Sequence, residues 1–232
     1  MEMKQSARIQ TSVLNPYEKK VLQAIVRRLP SFTNSDQLTV VGVVGAVMIT
    51  IGYALTNLSP AWLWLANLGF LVNWFGDSLD GTLARYRNQQ RPVYGFYIDH
   101  YLDCLCAFLM VLGAGLSAYM SLWSALLIIA PYLMLDVFVM INTHLKNEFR
   151  LTFAKLGSTE LRLIIVLVNA VLFFSPALCQ WSYPVSLMGH AITLRALDIA
   201  GLVISAGLMV IYLVSLWQDA RYYARIDPLI KR

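Results

Sequence analysis

Four aspartates stand out in a chain whose other residues are mostly apolar: Asp77, Asp80, Asp99 and Asp103. The spacing within each pair is three or four residues, which places both carboxylates on the same face of a helix. A charged carboxylate in or beside a membrane-embedded helix costs about 2.5 kcal/mol or more, so four of them need a compensating charge. Carboxylate oxygens are hard ligands that suit Mg²⁺ or Mn²⁺. The pattern therefore predicts a site for one or two divalent ions between two facing helix ends.

The residues around these aspartates are small or basic. Gly81 and Ala84 continue the face of the first aspartate pair, and Gly95 lies one turn before the second pair, so a bulky ligand could approach the backbone from both sides. The guanidinium of Arg85 can pair with phosphate oxygens. Two divalent ions about 3.5–4 Å apart can stabilise the attacking and leaving oxygens of an in-line displacement. The combination indicates substitution at a phosphorus centre.

The composition is that of an integral membrane protein. Of the 232 residues, 58% are apolar and only 13% are charged, against roughly 25% charged residues in soluble domains. A membrane-spanning helix needs about 20 predominantly apolar residues. Segments of about this length are 38–58, 60–80, 96–119, 121–145, 161–179 and 194–218. We therefore expect an all-α integral membrane fold with six transmembrane helices.

The basic residues alternate between connections in a way that predicts the topology. Lys and Arg are absent from the connections near 59, 120 and 180–193, and they occur in the N-terminal segment, the two other connections and the C-terminal tail. The positive-inside rule then places both termini and the aspartates in the cytoplasm. The net charge of +5 is explained by this topology and by attraction to anionic lipid. We expect a multi-pass protein of the cytoplasmic (inner) membrane, with membrane lipids and no nucleic acid among its partners.

The segment before the first span has an amphipathic pattern. Residues 15–30 alternate apolar and basic faces at helical period, and Asn15 followed by Pro16 suits a helix start. The pattern predicts an interfacial helix lying on the cytoplasmic leaflet, with a solvated basic arm as the alternative. The chain would then consist of a cytoplasmic N-terminal segment (1–37), a six-span domain (38–220) and a basic tail (221–232).

The aspartate segment resembles a known family signature. It reads Asp77-x-x-Asp80-Gly81-x-x-Ala84-Arg85-x9-Gly95-x-x-x-Asp99-x-x-x-Asp103, and it fills all eight positions of the signature of the CDP-alcohol phosphatidyltransferase family. The resemblance implies a six-span fold, a homodimer and dependence on Mg²⁺ or Mn²⁺. It also implies that the phosphoryl-alcohol portion of a CDP-linked donor moves to a hydroxyl acceptor, with release of CMP.

The resemblance assigns roles to the four aspartates. Asp77, Asp80 and Asp99 would be metal ligands. Asp103 would contribute to the metal site and would also act as the general base on the acceptor hydroxyl. Such a base works by geometry, because metal ions at the site would acidify the hydroxyl.

The resemblance also implies nucleotide contacts. The signature residues expected to contact the nucleotide or to clear its cavity are Gly81, Ala84, Arg85 and Gly95. Many members carry a Pro-Asn-x-x-Thr element at the start of the first span. Here the corresponding segment, residues 35–39, keeps only the threonine. We expect Thr39 to face the nucleotide, and Asp36 is a weaker candidate.

Acceptor or second-phosphate contacts have less specific candidates, which are Arg87, Arg91, Asp136 and Arg150. For the two arginines of the second connection, the charge topology is the stronger explanation. Asp136 lies within the fourth apolar segment, where a hydrogen-bonded structural role is the alternative. Arg150 and Arg162 lie on the cytoplasmic side, but their spacing identifies no acceptor.

The family resemblance, together with these features, implies an enzyme of phospholipid synthesis. It would transfer a phosphatidyl group from CDP-diacylglycerol to a small polar alcohol. An alternative with the same chemistry is transfer from CDP-choline or CDP-ethanolamine to diacylglycerol. A cation-translocation site in a transporter is an alternative of another class. The arginine and small residues beside the aspartates disfavour it, because an arginine would repel the ion.

Overall fold

The computed structural model describes residues 7–9, 14–146, 148–150, 157–179, 181–187 and 190–228, and helices dominate it. The helices are α1 (Asn15–Val26), α2 (Ser35–Leu55), α3 (Leu63–Tyr86), α4 (Pro92–Leu116), α5 (Leu122–Lys146), α6 (Ser158–Phe174), α7 (Pro176–Cys179) and α8 (Asp198–Ile226). A 3₁₀ turn, Pro60–Trp62, precedes α3. Helix α2 packs against both α3 and α4, α5 lies between α4 and α8, and α6 packs against α3.

Glycines allow α2 and α3 to approach at backbone distance. A Cβ atom on Gly45 would lie 2.3 Å from the backbone nitrogen of Asn73, and one on Gly76 would lie 2.2 Å from that of Gly42. The side-chain amide of Asn73 donates a 3.0 Å hydrogen bond to the Gly42 carbonyl. Small residues at such a crossing let membrane helices pack closely. The first two aspartates follow directly on this contact, on the last turns of α3.

Helix α4 approaches α2 in a similar way. A Cβ atom on Gly113 would lie 2.6 Å from the Cα atom of Thr50, and the Thr50 hydroxyl donates a 2.8 Å hydrogen bond to the Leu109 carbonyl. Helix α2 therefore holds the two aspartate-bearing helices on either side of itself.

Helix α1 covers the end of α3. Leu22 and Val26 are buried in a cluster with residues of α2 and α3, namely Leu38, Leu79 and Leu83. Protein therefore covers the apolar face that the sequence assigns to the membrane surface, and the helix ends before Pro30. The face left exposed carries Lys19, Lys20, Arg27 and Arg28. Contact between this basic face and lipid headgroups stays a prediction.

The structure confirms a helical, multi-pass membrane protein. Among the described residues, four helices are long and apolar enough to cross a membrane: Ser35–Leu55, Pro92–Leu116, Leu122–Thr143 and Asp198–Ile226. Helices α3 and α6 lie at the positions of the second and fifth predicted spans. However, α3 is rich in polar residues and α6 has only 17 residues. The count of six spans therefore stays a prediction.

Short strands occur that the sequence pattern does not predict. Strand β1 (Ala7–Ile9) pairs in parallel with β2 (Glu148–Arg150). Strands β3 (Ser182–Leu187) and β4 (His190–Arg195) form an antiparallel hairpin. Helix α8 consequently begins at Asp198, after the predicted start of the sixth span at 194. It continues past residue 220, the predicted end of the membrane domain.

The α2–α3 contact can be tested by adding one methyl group. Gly76→Ala should lower the free energy of unfolding by about 1–3 kcal/mol, because the new Cβ overlaps the α2 backbone. Gly207→Ala is the matched control, since a Cβ added at this helical glycine would meet no atom within 4 Å. Thermal unfolding of the detergent-solubilised protein would measure both. Equal midpoints for the two variants would contradict the close contact.

Candidate active site

Three of the four aspartates form a compact carboxylate cluster. Asp77 comes from the last turns of α3, and Asp99 and Asp103 come from successive turns near the start of α4. One carboxylate oxygen from each lies within 4.8 Å of the others. Asp77 and Asp99 are half-buried, and Asp103 is the most exposed of the three. One aspartate of the first pair therefore lies against both aspartates of the second pair.

The fourth aspartate lies in the same cleft but has other partners. The Thr39 hydroxyl donates a 2.7 Å hydrogen bond to one Asp80 oxygen, and the Gly81 backbone N–H donates to the other. Thr39 and all four aspartates line a cleft of about 20 Å³, which is enough for a water molecule or an ion. Thr39, which we expect to face the nucleotide, is hydrogen-bonded to Asp80 in this structure.

Arg162 of α6 brings a positive charge to this cluster. Its Nη2 donates to Asp77 Oδ2 at 2.6 Å, and the two side chains are 16% and 28% exposed. Its Nη1 is buried and has no hydrogen-bond partner among the described residues. The sequence presents Arg162 as one of several basic residues in the connections predicted to be cytoplasmic. Its place at the start of an apolar helix was the only signal, and no local pattern links it to Asp77.

The donor set fits a divalent metal ion. Three carboxylates this close to one another repel, and a divalent cation among them would offset that repulsion. Oxygen ligands at this separation could converge on a Mg²⁺ or Mn²⁺ ion, as these ions prefer. The cluster of Asp77, Asp99 and Asp103 is therefore a candidate metal centre, with Asp80 beside it.

A larger pocket lies next to the aspartate cleft. It has a volume of about 260 Å³ and is lined by Asn34, Ser35, Asp36, Leu83, Ala84, Gln89 and Arg91. The Ser35 hydroxyl donates a 2.9 Å hydrogen bond to the Asp80 carbonyl, which joins the pocket wall to the site. Ala84 and Asp36, both considered for nucleotide contact, thus line the same pocket.

The other signature residues lie near the cleft and the pocket, and they differ in how closely other atoms pack around them. Arg85 is exposed, and its guanidinium lies 3.2 Å from the Thr82 hydroxyl and beside Gly81, where an added Cβ would be 3.3 Å from it. A Cβ on Gly95 would meet no atom within 4 Å. Packing within the described residues therefore does not itself require glycine at position 95.

The residues predicted to contact the acceptor have different environments in the structure. Arg87 donates to main-chain carbonyls of the segment between α1 and α2, including that of Pro30 at 2.7 Å. This arrangement indicates a structural role. Arg91 pairs with Asp36 and stacks on the ring of Tyr94. Asp136 accepts a 3.0 Å hydrogen bond from the thiol of Cys104, the residue after Asp103. The side chain of Arg150 lies outside the described residues.

Comparison with known protein families shows which family the chain belongs to. The family model for CDP-alcohol phosphatidyltransferase matches residues 32–217, which include α2 to α6 and most of α8. The chain belongs to this family. Its members transfer a phosphoalcohol group from a CDP-alcohol to a hydroxyl acceptor, use a divalent metal ion and act in phospholipid biosynthesis at membranes.

Metal binding can be measured independently of turnover. Asp99→Asn should weaken Mn²⁺ binding by at least about 10-fold, the loss typical of disturbing even a residue outside the ligand set. Electron paramagnetic resonance of free Mn²⁺ would give the dissociation constant. Asp227→Asn removes the same charge at the exposed end of α8 and should leave binding unchanged. Equal dissociation constants for both variants would argue against the metal centre.

Proposed function

We propose that this enzyme transfers a phosphatidyl group from CDP-diacylglycerol to the hydroxyl of a small polar alcohol and releases CMP. The observation that carries the proposal is the carboxylate cluster of α3 and α4 beside a pocket of about 260 Å³. A carboxylate-bound metal with an adjacent pocket for the rest of the donor suits substitution at a diphosphate. The family's chemistry is consistent with this reaction.

In the proposed mechanism Asp103 is the general base. The acceptor hydroxyl loses its proton to the Asp103 carboxylate as its oxygen bonds to the lipid-linked phosphorus. The bond from that phosphorus to the bridging oxygen breaks, and CMP leaves with the electron pair. Asp103 suits this role because it is the most exposed member of the cluster. Asp77, Asp80, Asp99 and Asp103 would hold the divalent ions. Bound there, the ions would stabilise the phosphate charges electrostatically.

We further propose that the donor's nucleotide portion occupies the pocket next to Asp80. Ala84 lies on its wall, and a small side chain there leaves room for a ligand. Gly81, Gly95 and Thr39 would border the same ligand. Arg85 is exposed beside the site, where its planar fork could pair with a phosphate.

The acceptor side would be formed by α5 and α6. Arg162 reaches the cluster from α6 and carries a buried Nη1 without a partner among the described residues. Asp136 lies on α5 beside Cys104. The opposite charges of Arg162 and Asp136 near Asp103 suit a polar acceptor better than diacylglycerol, which is mostly apolar. This supports the CDP-diacylglycerol donor over transfer from CDP-choline or CDP-ethanolamine to diacylglycerol.

The proposed topology has six spans and an active site at the cytoplasmic surface of the inner membrane. The described basic residues before α2, after α3 and at the start of α6 lie at the same end of the bundle as the aspartates. This is the arrangement that the positive-inside rule requires.

The general-base assignment has a direct test. Asp103→Asn should lower CMP release by about 100-fold or more, which is the usual contribution of a positioned acid–base group. The assay would use Mg²⁺, CDP-diacylglycerol and a panel of inositol, inositol phosphate, glycerol phosphate and serine. CMP release that depends on one acceptor would identify the product. Turnover only with CDP-choline or CDP-ethanolamine plus diacylglycerol would overturn the donor assignment.

Arg85 and Arg87 should behave differently although they are only two residues apart. Arg85→Ala should raise the KM for the CDP-linked donor by about 10-fold or more, because a hydrogen bond to a charged group contributes about 1.5–3 kcal/mol. Its thermal midpoint should be unchanged. Arg87→Ala should instead lower the midpoint, because it leaves several carbonyls without a donor. Equal effects of the two substitutions on KM would contradict the Arg85 assignment.

A further inference from the structure

Glu18 of the N-terminal helix α1 is the meeting point of three helices. Its Oε1 accepts hydrogen bonds from the indole N–H of Trp74 at 2.8 Å, the Thr159 hydroxyl at 2.7 Å and the Ser78 hydroxyl at 3.4 Å. Trp74 and Ser78 belong to α3, and Thr159 belongs to α6. We infer that Glu18 is a positioning residue, which fixes how α3 and α6 are placed relative to each other at the carboxylate cluster.

On α3, the contacts of Glu18 bracket Asp77. Ser78 is the next residue along the chain, and Trp74 lies about one turn earlier. This turn of α3 is held at Ser78 and at Trp74, on either side of Asp77 along the chain, so it has little freedom to rotate. The direction in which Asp77 projects is therefore coupled to the Glu18 carboxylate.

On α6, the contact lies one turn before Arg162, the partner of Asp77. The same helix end is tied to α1 a second time. Glu160 Oε1 accepts a 3.0 Å hydrogen bond from the Leu14 backbone N–H, while its Oε2 accepts one from the Gly157 N–H. The N-terminal end of α1 thus holds the first turn of α6 at two points, and Arg162 follows directly.

The inference follows from the geometry of these contacts. Glu18 does not line the aspartate cleft and is not one of the clustered carboxylates. It connects the helix of Asp77 to the helix of Arg162 through a single half-buried oxygen. Partners outside the ligand set commonly hold metal ligands in orientation, and losing one typically costs about 10–100-fold in metal affinity or activity. The inference rests on the proposed function, in that Asp77 is taken as a metal ligand.

The test compares two substitutions of Glu18 with a control on the same helix. Glu18→Leu removes the acceptor, whereas Glu18→Gln keeps an oxygen that can accept the same hydrogen bonds. Gln23→Leu makes the same kind of apolar change at an exposed position of α1. The measurements are the Mn²⁺ dissociation constant by electron paramagnetic resonance and the kcat and KM for CMP release.

Glu18→Leu should raise the Mn²⁺ dissociation constant and lower kcat by about 10-fold each, with a KM for the donor within about twofold of wild type. Glu18→Gln should restore most of both values, and Gln23→Leu should match wild type. In a double-mutant cycle, Thr159→Val should add little to Glu18→Leu, because both remove the same contact.

Distinct outcomes separate failure of this inference from failure of the proposed function. A wild-type protein that binds Mn²⁺ and releases CMP, with Glu18→Leu equal to Gln23→Leu, would overturn the positioning role alone. A melting point lowered by Glu18→Leu with unchanged metal affinity would show a structural role only and would also overturn it. A wild-type protein that binds no Mn²⁺ would overturn the proposed function and this inference with it.

Discussion

The close contact between α2 and α3 is the constraint on which the site depends. Gly45 meets the backbone at Asn73, and Gly42 meets it at Gly76, so the two helices cross without intervening side chains. At that separation the Thr39 hydroxyl of α2 reaches the carboxylate of Asp80 on α3. Helix α4 packs on another side of α2, which brings its aspartates toward those of α3. Larger residues at the crossing would separate the parts of the site.

Electrostatic interactions explain why the carboxylate cluster needs positive charge beside it. Three carboxylates with oxygens within 4.8 Å of one another are unfavourable unless positive charge is nearby, because mutual repulsion is strong where water is scarce. Arg162 supplies part of that charge from α6. Carboxylate oxygens this close together make the cluster a suitable ligand set for a divalent ion. The same repulsion that disfavours the carboxylates alone would therefore favour binding of a divalent ion.

Helix α1 packs against the helices that carry the site. Its apolar residues Leu22 and Val26 are buried against α2 and α3, its Glu18 joins α3 to α6, and its exposed face is basic. An amphipathic helix of this composition can be stabilised by protein on one face and by anionic lipid on the other. The helix is thus part of the catalytic domain's packing rather than a separate arm.

The sequence by itself determined the features that depend on local periodicity and composition. Spacings of three and four residues predicted that each aspartate pair shares a helix face, apolar length predicted the helices, and the signature from Asp77 to Asp103 identified the family. Only the tertiary structure decided which distant residues complete the site. Arg162 lies 85 residues from Asp77, and Glu18 contacts Thr159 across 141 residues. No helical period encodes such contacts, because they arise from how whole helices pack. The partners of Arg87 could not be predicted for the same reason. Its charge fitted the predicted topology, but the structure shows that it donates to loop carbonyls.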